Sequence, residues 1–308
     1  MQKLRRIVLD RMISEQLTSR QTDMMFYLSN YQDETGLVQG VYYRAVCADT
    51  GMSIQSFYNA LAALEQKGLI SKEKNSETDW DVRILDNDCS DYSKVGQYLN
   101  TNQELFYSKA FRTLSGGAKL LAVYLLRRCG ENRGRYSQQV GTFLDDLKEK
   151  FCVSIRVIVS YLKELQSLFS LGSKDGLYFI RPLKAGIQKT GKSEYQKKAE
   201  HEVDVICRRR KIDPPSTNRE KADLAGLMNQ YKQPSEKLQE AILTAICVEE
   251  ESAKNRSEKR HMKANLKPAK KSGKQKLPAV KLVHKVLRGM LGLEKPVQGV
   301  VTVENEIR

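Results

Sequence analysis

The sequence predicts a mainly α fold with small β-hairpins, an α+β chain in which one unit occurs twice before a helical, basic C-terminal region. The first observation is an internal repeat: about twenty residues that begin at Met52 recur in register 101 positions later, from Val153. The second is that each copy follows a short helix pattern and precedes two apolar runs with hairpin spacing. The third is charge, because most of the net +15 of the 308 residues lies towards the C-terminal end.

The first copy is expected to begin with three helices. A helix capped by Thr18 or Ser19 should end near Gly36, and a second should cover about 41–49. A turn at Gly51 then leads into a third helix that continues to about residue 67, because glycine relieves a tight turn between crossing helices. The third helix carries an apolar stripe that we expect to face inward, formed by Ile54, Phe57, Leu61 and Leu64.

A hairpin follows, with strands at about 69–74 and 80–84. Three helices and such a wing are typical of a winged helix-turn-helix, a unit that reads double-stranded DNA in the major groove. The candidate base-reading residues point outward from the start of the third helix: Ser53, Gln55, Ser56 and Asn59. Lys72 and Lys74 are candidate phosphate ligands. A hairpin that only covers the core is the alternative, because four acidic residues oppose these lysines: Glu73, Glu77, Asp79 and Asp81.

The second copy has the same predicted layout. Ser115 caps its first helix, a second helix covers 142–151, and a third begins at Ile155, again with its apolar residues inward. Asp175-Gly176 between apolar runs predicts a second hairpin. The candidate DNA contacts are Ser154, Arg156, Ser160 and Lys163 on the third helix, with Lys174 in the wing. The alternative is a unit that packs on the first copy or forms a homodimer without touching DNA.

These patterns divide the chain into winged-helix domains at 1–88 and 115–185, joined by a partly ordered linker at 89–114. A helical accessory region should cover 186–252, a basic disordered linker 253–279, and an amphipathic helix and tail 280–308. The helix around 280–291 suits a protein partner or the chain's own surface better than a membrane, because its apolar stripe is short.

Positive charge predicts a polyanion as the partner of the C-terminal part. Residues 186–308 contain 27 Lys and Arg against 16 Asp and Glu, whereas residues 1–185 contain 25 against 21. A basic arm of this kind gives salt-sensitive, sequence-independent affinity for DNA, and a solvated linker is the alternative. The candidate phosphate contacts of the arm are Lys254, Arg256, Lys259, Arg260, Lys270, Lys271 and Lys274.

One motif indicates a nucleotide site and its context argues against it. The octet that begins at Gly186 satisfies G-x-x-x-x-G-K-[ST], in which Gly191, Lys192 and Ser193 would complete a phosphate-binding loop. The strand before it is already needed as the return strand of the second wing, and no series of buried strands follows. We therefore expect no cofactor.

Catalysis and metal binding are not predicted. The six cysteines are scattered without a close pair at metal-ligand spacing, and the three histidines lie far apart, so neither a zinc site nor an enzyme is expected. The N-terminus lacks the apolar run of a signal peptide, and no stretch approaches membrane-spanning length. The expected compartment is the cytoplasm.

Two such units about one hundred residues apart resemble the layout of plasmid replication initiators and of phage or plasmid replication-organiser proteins of Gram-positive bacteria. The resemblance covers about 18–183 and rests on this layout and on Cys47-Ala48-Asp49-Thr50-Gly51-Met52-Ser53. It implies a bacterial DNA-binding protein that acts in the replication of a plasmid, phage or mobile element. One repeat would read a half-site, and the other a neighbouring half-site or a second copy of the chain. A transcription regulator of the same build and an anchoring protein that uses the C-terminal helix are the alternatives.

Overall fold

The computed structural model describes residues 2–91, 97–101, 104–132, 134–183, 194–215, 217–231, 237–238, 240–249, 251–252, 275–276 and 278–293. They form a mixed α+β fold with small sheets, in agreement with the predicted class. The chain divides into two compact units, residues 1–201 and residues 202–308. Both copies of the repeat lie in the first unit.

The first repeat alternates helices with the strands of one antiparallel sheet. Strand β1 (Lys3–Arg5) and helix α1 (Arg6–Ser14) precede it. Helix α2 begins with a reciprocal capping box, in which Thr18 and Gln21 bond to each other's backbone N–H groups. The strands join in the order β2-β4-β3. The elements of the repeat are α2 (Ser19–Tyr31), β2 (Leu37–Tyr42), α3 (Tyr43–Thr50), α4 (Ile54–Gln66), β3 (Ile70–Glu73) and β4 (Asp79–Ile84).

The connection between the repeats is structured along most of its described length. Strand β5 (Tyr98–Asn100) pairs antiparallel with β1, and a short helix, α5 (Lys109–Arg112), precedes the second repeat. Apolar side chains of this connection are buried in the core of the unit: Leu99, Leu105, Phe106 and Phe111.

The second repeat has the same order of elements as the first. Its antiparallel sheet is again arranged with the last strand in the middle, in the order β6-β8-β7. The Ser115 side chain caps α6 by accepting a hydrogen bond from the Ala118 N–H, as the sequence predicted. The elements are α6 (Gly116–Glu131), β6 (Tyr136–Gln139), α7 (Val140–Phe151), α8 (Ile155–Glu164), β7 (Phe169–Lys174) and β8 (Leu177–Pro182).

The two repeats share one hydrophobic core. Helices α2 and α6 pack against each other, and a single cluster of buried apolar residues contains side chains of both repeats. Gly116 lies at this contact, where an added Cβ would stand only 2.9 Å from the Ser19 backbone N. An ion pair between Asp23 and Lys119, with 2.5 Å between Oδ1 and Nζ, joins the two helices inside the core. The helices therefore meet at a close, specific contact.

The second unit is mainly helical in its described part. Helix α9 (Glu194–Arg209) crosses the boundary between the units, and β9 (Ile212–Asp213) and α10 (Asn218–Tyr231) follow. Residues 240–249 are helical, and α11 (Val280–Met290) packs on α10 with Val283 and Leu287 buried. The prediction of disorder over 253–279 is wrong for Gln275–Lys276, which forms strand β10 and pairs in parallel with β9, because backbone groups there find partners along that strand.

Candidate nucleic-acid interface

Helix α4 follows α3 through the three-residue turn Gly51–Ser53, which its glycine and its serine stabilise. Gly51 ends α3 in the left-handed conformation, with φ +69°. Ser53 caps α4, because its Oγ accepts a hydrogen bond from the Ser56 N–H at 3.2 Å, and the two hydroxyl oxygens lie 2.9 Å apart. Ser53 and Ser56 therefore have a structural role at the helix start, which leaves Gln55 and Asn59 as the polar groups most available to a ligand.

The outer face of α4 carries two amides and two exposed apolar side chains. Gln55 Nε2 donates to Asn59 Oδ1 at 2.8 Å, one helical turn away, and both residues are exposed. Ile54 is 53% exposed and Tyr58 is 44% exposed. The prediction that Ile54 faces inward is wrong, although Phe57, Leu61 and Leu64 are buried as expected. Ile54 lies on the first turn of α4, beyond the edge of the core that the later turns cover.

Helix α8 presents the equivalent face of the second repeat with a different charge. Arg156, Ser160 and Lys163 are exposed, and the 101-residue offset places them where the first repeat has Gln55, Asn59 and Ala62. Ile155 is 38% exposed, so the prediction that it faces inward is wrong for the same reason as for Ile54. Ser154 precedes α8 without a side-chain capping bond. The structure thus exposes all four candidate residues of this helix, including two cations that α4 lacks.

A basic and aromatic cluster next to α4 was missed by the sequence analysis. Arg44, exposed near the start of α3, donates from Nε to the Tyr43 hydroxyl at 3.1 Å. This hydrogen bond lowers the pKa of Tyr43 from its usual value. The Tyr43 ring lies 6.5 Å from the Tyr58 ring of α4. Arg44 therefore supplies a fixed positive charge beside the α4 face, and its position after two tyrosines at a helix start is the signal that could have indicated it.

The wing lysines of the first repeat differ in their availability. Lys72 is paired with Glu65 of α4, with 2.6 Å between Nζ and Oε2, whereas Lys74 is exposed, with Nζ 5.8 Å from the centre of the Trp80 ring. Of the four opposing acids, Asp79 is buried, and Asp81 Oδ1 accepts a hydrogen bond from the Gly40 N–H at 2.8 Å. Asp79 is therefore covered and Asp81 bonds the β2 backbone, which leaves Glu73 and Glu77 as the exposed acids of this hairpin.

The wing of the second repeat has a simpler surface. Lys174 is exposed at the end of β7, beside the turn at Asp175-Gly176, where both residues have positive φ. Phe179 on β8 is 46% exposed and pairs with Gly172, which has no side chain to cover it. The surface of this wing therefore combines a cation with an exposed aromatic ring.

Two groups of candidate residues lie outside the described part of the chain. The seven basic residues of the arm are among them, as are all eight residues of the phosphate-loop match from Gly186 to Ser193. Strand β8 is the return strand of an antiparallel hairpin, as the argument against a nucleotide site assumed.

The described residues contain no group of three or more His, Cys, Asp or Glu side chains that could bind a metal ion. Within the same residues, every helix is too short or too polar to span a bilayer.

Comparison with protein-family models and with curated proteins finds no match for this chain.

Proposed function

We propose that the chain is a double-stranded DNA-binding protein in which both repeats are winged helix-turn-helix units. The observation that carries the proposal is the order of elements, which is helix, strand, helix, helix, strand, strand in each repeat, with the last strand in the middle of the sheet. In such a unit the third helix enters the major groove and its N-terminal residues contact base edges. The exposed polar residues of α4 and α8 lie at that position in both repeats.

The proposed biological role is replication initiation or organisation for a plasmid, phage or mobile element, and it rests on the resemblance of the tandem layout. A transcription regulator of the same build would have the same two faces. The two roles differ in where the binding sites lie, because an initiator binds at an origin and a regulator binds at promoters.

An anchoring function through the C-terminal helix receives less support from the structure. Val283 and Leu287, the centre of the apolar stripe of α11, are buried in the second unit, where α11 packs on α10. A helix whose apolar face is covered within its own unit has little left to insert elsewhere.

The proposal is tested by recovering and sequencing the DNA that the purified full-length chain binds from fragmented DNA of its source. We expect a few sites to be enriched at physiological salt, and we expect Asn59→Ala and Arg156→Ala each to weaken binding to them by about ten-fold, the loss of one base-reading contact.

Matched controls are Gln166→Ala for the amide and Lys109→Ala for the charge, because both residues are exposed and neither lies on the proposed faces of α4 and α8. The controls should leave site affinity within about two-fold. Recovery that is uniform along the DNA and disappears when salt is added would contradict the proposal, because only non-specific phosphate contacts behave in this way.

A further inference from the structure

The amides of Gln55 and Asn59 are joined by a hydrogen bond on the exposed face of α4 and form one polar unit. The bond from Gln55 Nε2 to Asn59 Oδ1 uses one donor hydrogen and one acceptor oxygen. The unit still offers Gln55 Oε1 as an acceptor, and as donors both hydrogens of Asn59 Nδ2 and the second hydrogen of Gln55 Nε2. If both amides are turned over, the bond reverses and the unit again offers one unused amide oxygen and donors on both nitrogens. Its chemistry is therefore the same in either arrangement.

Adenine is the base whose major-groove edge matches this unit. Adenine presents N7 as an acceptor next to the N6 amino group as a donor, and amide side chains of Asn and Gln pair with this edge. Guanine presents two acceptors, N7 and O6, and no donor for the remaining amide oxygen of the unit. Arginine suits guanine better, and the position equivalent to Gln55 carries Arg156 in the second repeat.

Ile54 is an exposed apolar side chain of the kind that contacts the thymine of an A·T pair. Thymine differs from cytosine in the major groove by its methyl group, which apolar side chains contact. Ile54 precedes Gln55 on the first turn of α4 and is 53% exposed. An exposed isoleucine beside a hydrogen-bonded amide pair therefore complements both halves of one base pair.

We propose that the first repeat recognises an A·T base pair in the major groove, with Gln55 and Asn59 on the adenine edge and Ile54 on the thymine methyl. This inference rests on the proposed DNA-binding function. Because Arg156 and Ser160 stand at the equivalent positions of α8, the two repeats of one chain should not read the same base pair.

The test uses the full-length chain and the duplex recovered as its preferred site, with single bases replaced. Thymine→uracil removes the methyl group, and adenine→7-deazaadenine removes N7. At one A·T pair, uracil should weaken binding about four-fold, the value of one buried methyl group, and 7-deazaadenine should weaken it about five-fold or more. Ile54→Ala should abolish the effect of uracil at that pair. Removal of the amide that donates to N7, by Asn59→Ala in the observed arrangement or by Gln55→Ala in the reversed one, should abolish the effect of 7-deazaadenine.

The matched control is Ile155→Ala, which removes the equivalent exposed side chain of α8 and should leave both effects at that pair intact. Site-selective binding in which no single uracil weakens the wild-type complex, or in which Ile54→Ala keeps the full effect, overturns this inference and leaves the DNA-binding proposal standing. Absence of any preferred site overturns both. Since Ile54 and Gln55 are exposed, their variants should unfold at the wild-type temperature within about 2 °C.

Discussion

Cys152 stands where the first repeat has Gly51, and both residues end a helix in the left-handed conformation. Cys152 has φ +51° and Gly51 has φ +69°. A residue with a Cβ loses about 1–2 kcal/mol in this conformation, whereas glycine adopts it freely. An added Cβ at Gly51 would meet no atom within 4 Å, so the cost of a side chain there comes from the backbone alone.

We therefore predict opposite effects at the two equivalent positions. Cys152→Gly should raise the free energy of unfolding by about 0.5–1 kcal/mol, and Gly51→Ala should lower it by about 1 kcal/mol. The gain at Cys152 is the smaller because glycine also makes the unfolded chain more flexible. Urea unfolding of the three proteins measures both changes. A loss of stability in Cys152→Gly would mean that the weak contact from its Sγ to the Glu149 carbonyl outweighs the backbone strain.

The buried pair of Asp23 and Lys119 is a second site where single residues decide stability. Lys119 is fully buried and Asp23 is 7% exposed. Burial raises the pKa of Asp23 and lowers the pKa of Lys119, and in each case the partner's charge opposes the shift without cancelling it. Asp23, Asn30 and Arg112 also line a cavity of about 20 Å³, which is enough for one water molecule. Burial therefore disfavours the charged form of both groups.

Replacing Lys119 with methionine should destabilise the first unit by about 3–5 kcal/mol at pH 8, because the buried Asp23 carboxylate keeps only the longer contact to Arg20, 3.7 Å from Nη1 to Oδ2. The double variant Asp23→Leu, Lys119→Met should recover most of this loss. Urea unfolding at pH 5 and pH 8 measures both.

The loss in Lys119→Met should be smaller at pH 5 than at pH 8. The folded pKa of Asp23 lies above the unfolded value of 3.8. Its protonation therefore favours folding fully below 3.8, and this contribution disappears as the pH rises through the folded pKa. Removal of Lys119 takes away a charge that lowers the Asp23 pKa, so the variant should keep Asp23 protonated to a higher pH. An equal loss at both pH values would show that Asp23 remains charged.

At the scale of elements, helices were more predictable than strands. The third helix of the first repeat was expected to continue to about residue 67 and spans Ile54–Gln66, because its apolar residues recur every three or four positions. Strand β2 was not predicted, since a bulge between Val38 and Val41 breaks the alternation that marks a strand. Gly40 lies in this bulge with φ +65°, and the Asp81 carboxylate that bonds its N–H is 41 positions away. A pattern of neighbouring residues cannot indicate a hydrogen bond between partners so far apart in the sequence.

The sequence predicts the outward-facing side chains of the candidate site wherever they follow from the spacing of residues around a helix. Phase placed Gln55, Asn59, Arg156 and Ser160 outward, and all four are exposed. Phase failed at Ile54, because helical spacing gives the direction of a side chain and does not show where the core beneath it ends. The pairing of Lys72 with Glu65 depends on how the wing folds against α4, which is a tertiary contact.

The wing offers a prediction that separates a DNA contact from a cover for the core. Glu73 is exposed on β3, and Asp81 bonds the β2 bulge. If the wing lies against phosphates, Glu73→Gln should strengthen DNA binding about two-fold by removing one repulsive charge, with unchanged stability.

Asp81→Ala removes a charge nearby but should lower the free energy of unfolding by about 1–2 kcal/mol, because the Gly40 N–H loses its acceptor. Filter binding at physiological salt and urea unfolding measure the two effects. Unchanged affinity in Glu73→Gln would favour the wing as a cover.

At the scale of the whole molecule, the two repeats belong to one compact unit, residues 1–201. The sequence predicted the two repeats as separate domains, because a repeat pattern does not show which surfaces pack together. The contact between α2 and α6 joins the repeats into one unit, and it depends on particular residues, such as Gly116 and the Asp23–Lys119 pair. A shared core implies that neither repeat keeps its full stability when the other is damaged.

Trp80, the one tryptophan of the chain, lies on β4 of the first repeat and reports on that repeat alone. Phe143→Ala removes a buried ring from α7 of the second repeat and should cost about 3–5 kcal/mol. Because the core is shared, we predict that it lowers the urea midpoint of the Trp80 fluorescence transition, although the substitution lies in the other repeat. Phe179→Ala is the matched control, since this ring is 46% exposed on the second wing and its removal should leave the midpoint within experimental error. A Trp80 transition that stays at the wild-type midpoint in Phe143→Ala, while the second repeat loses its amide-exchange protection, would mean that the repeats unfold independently.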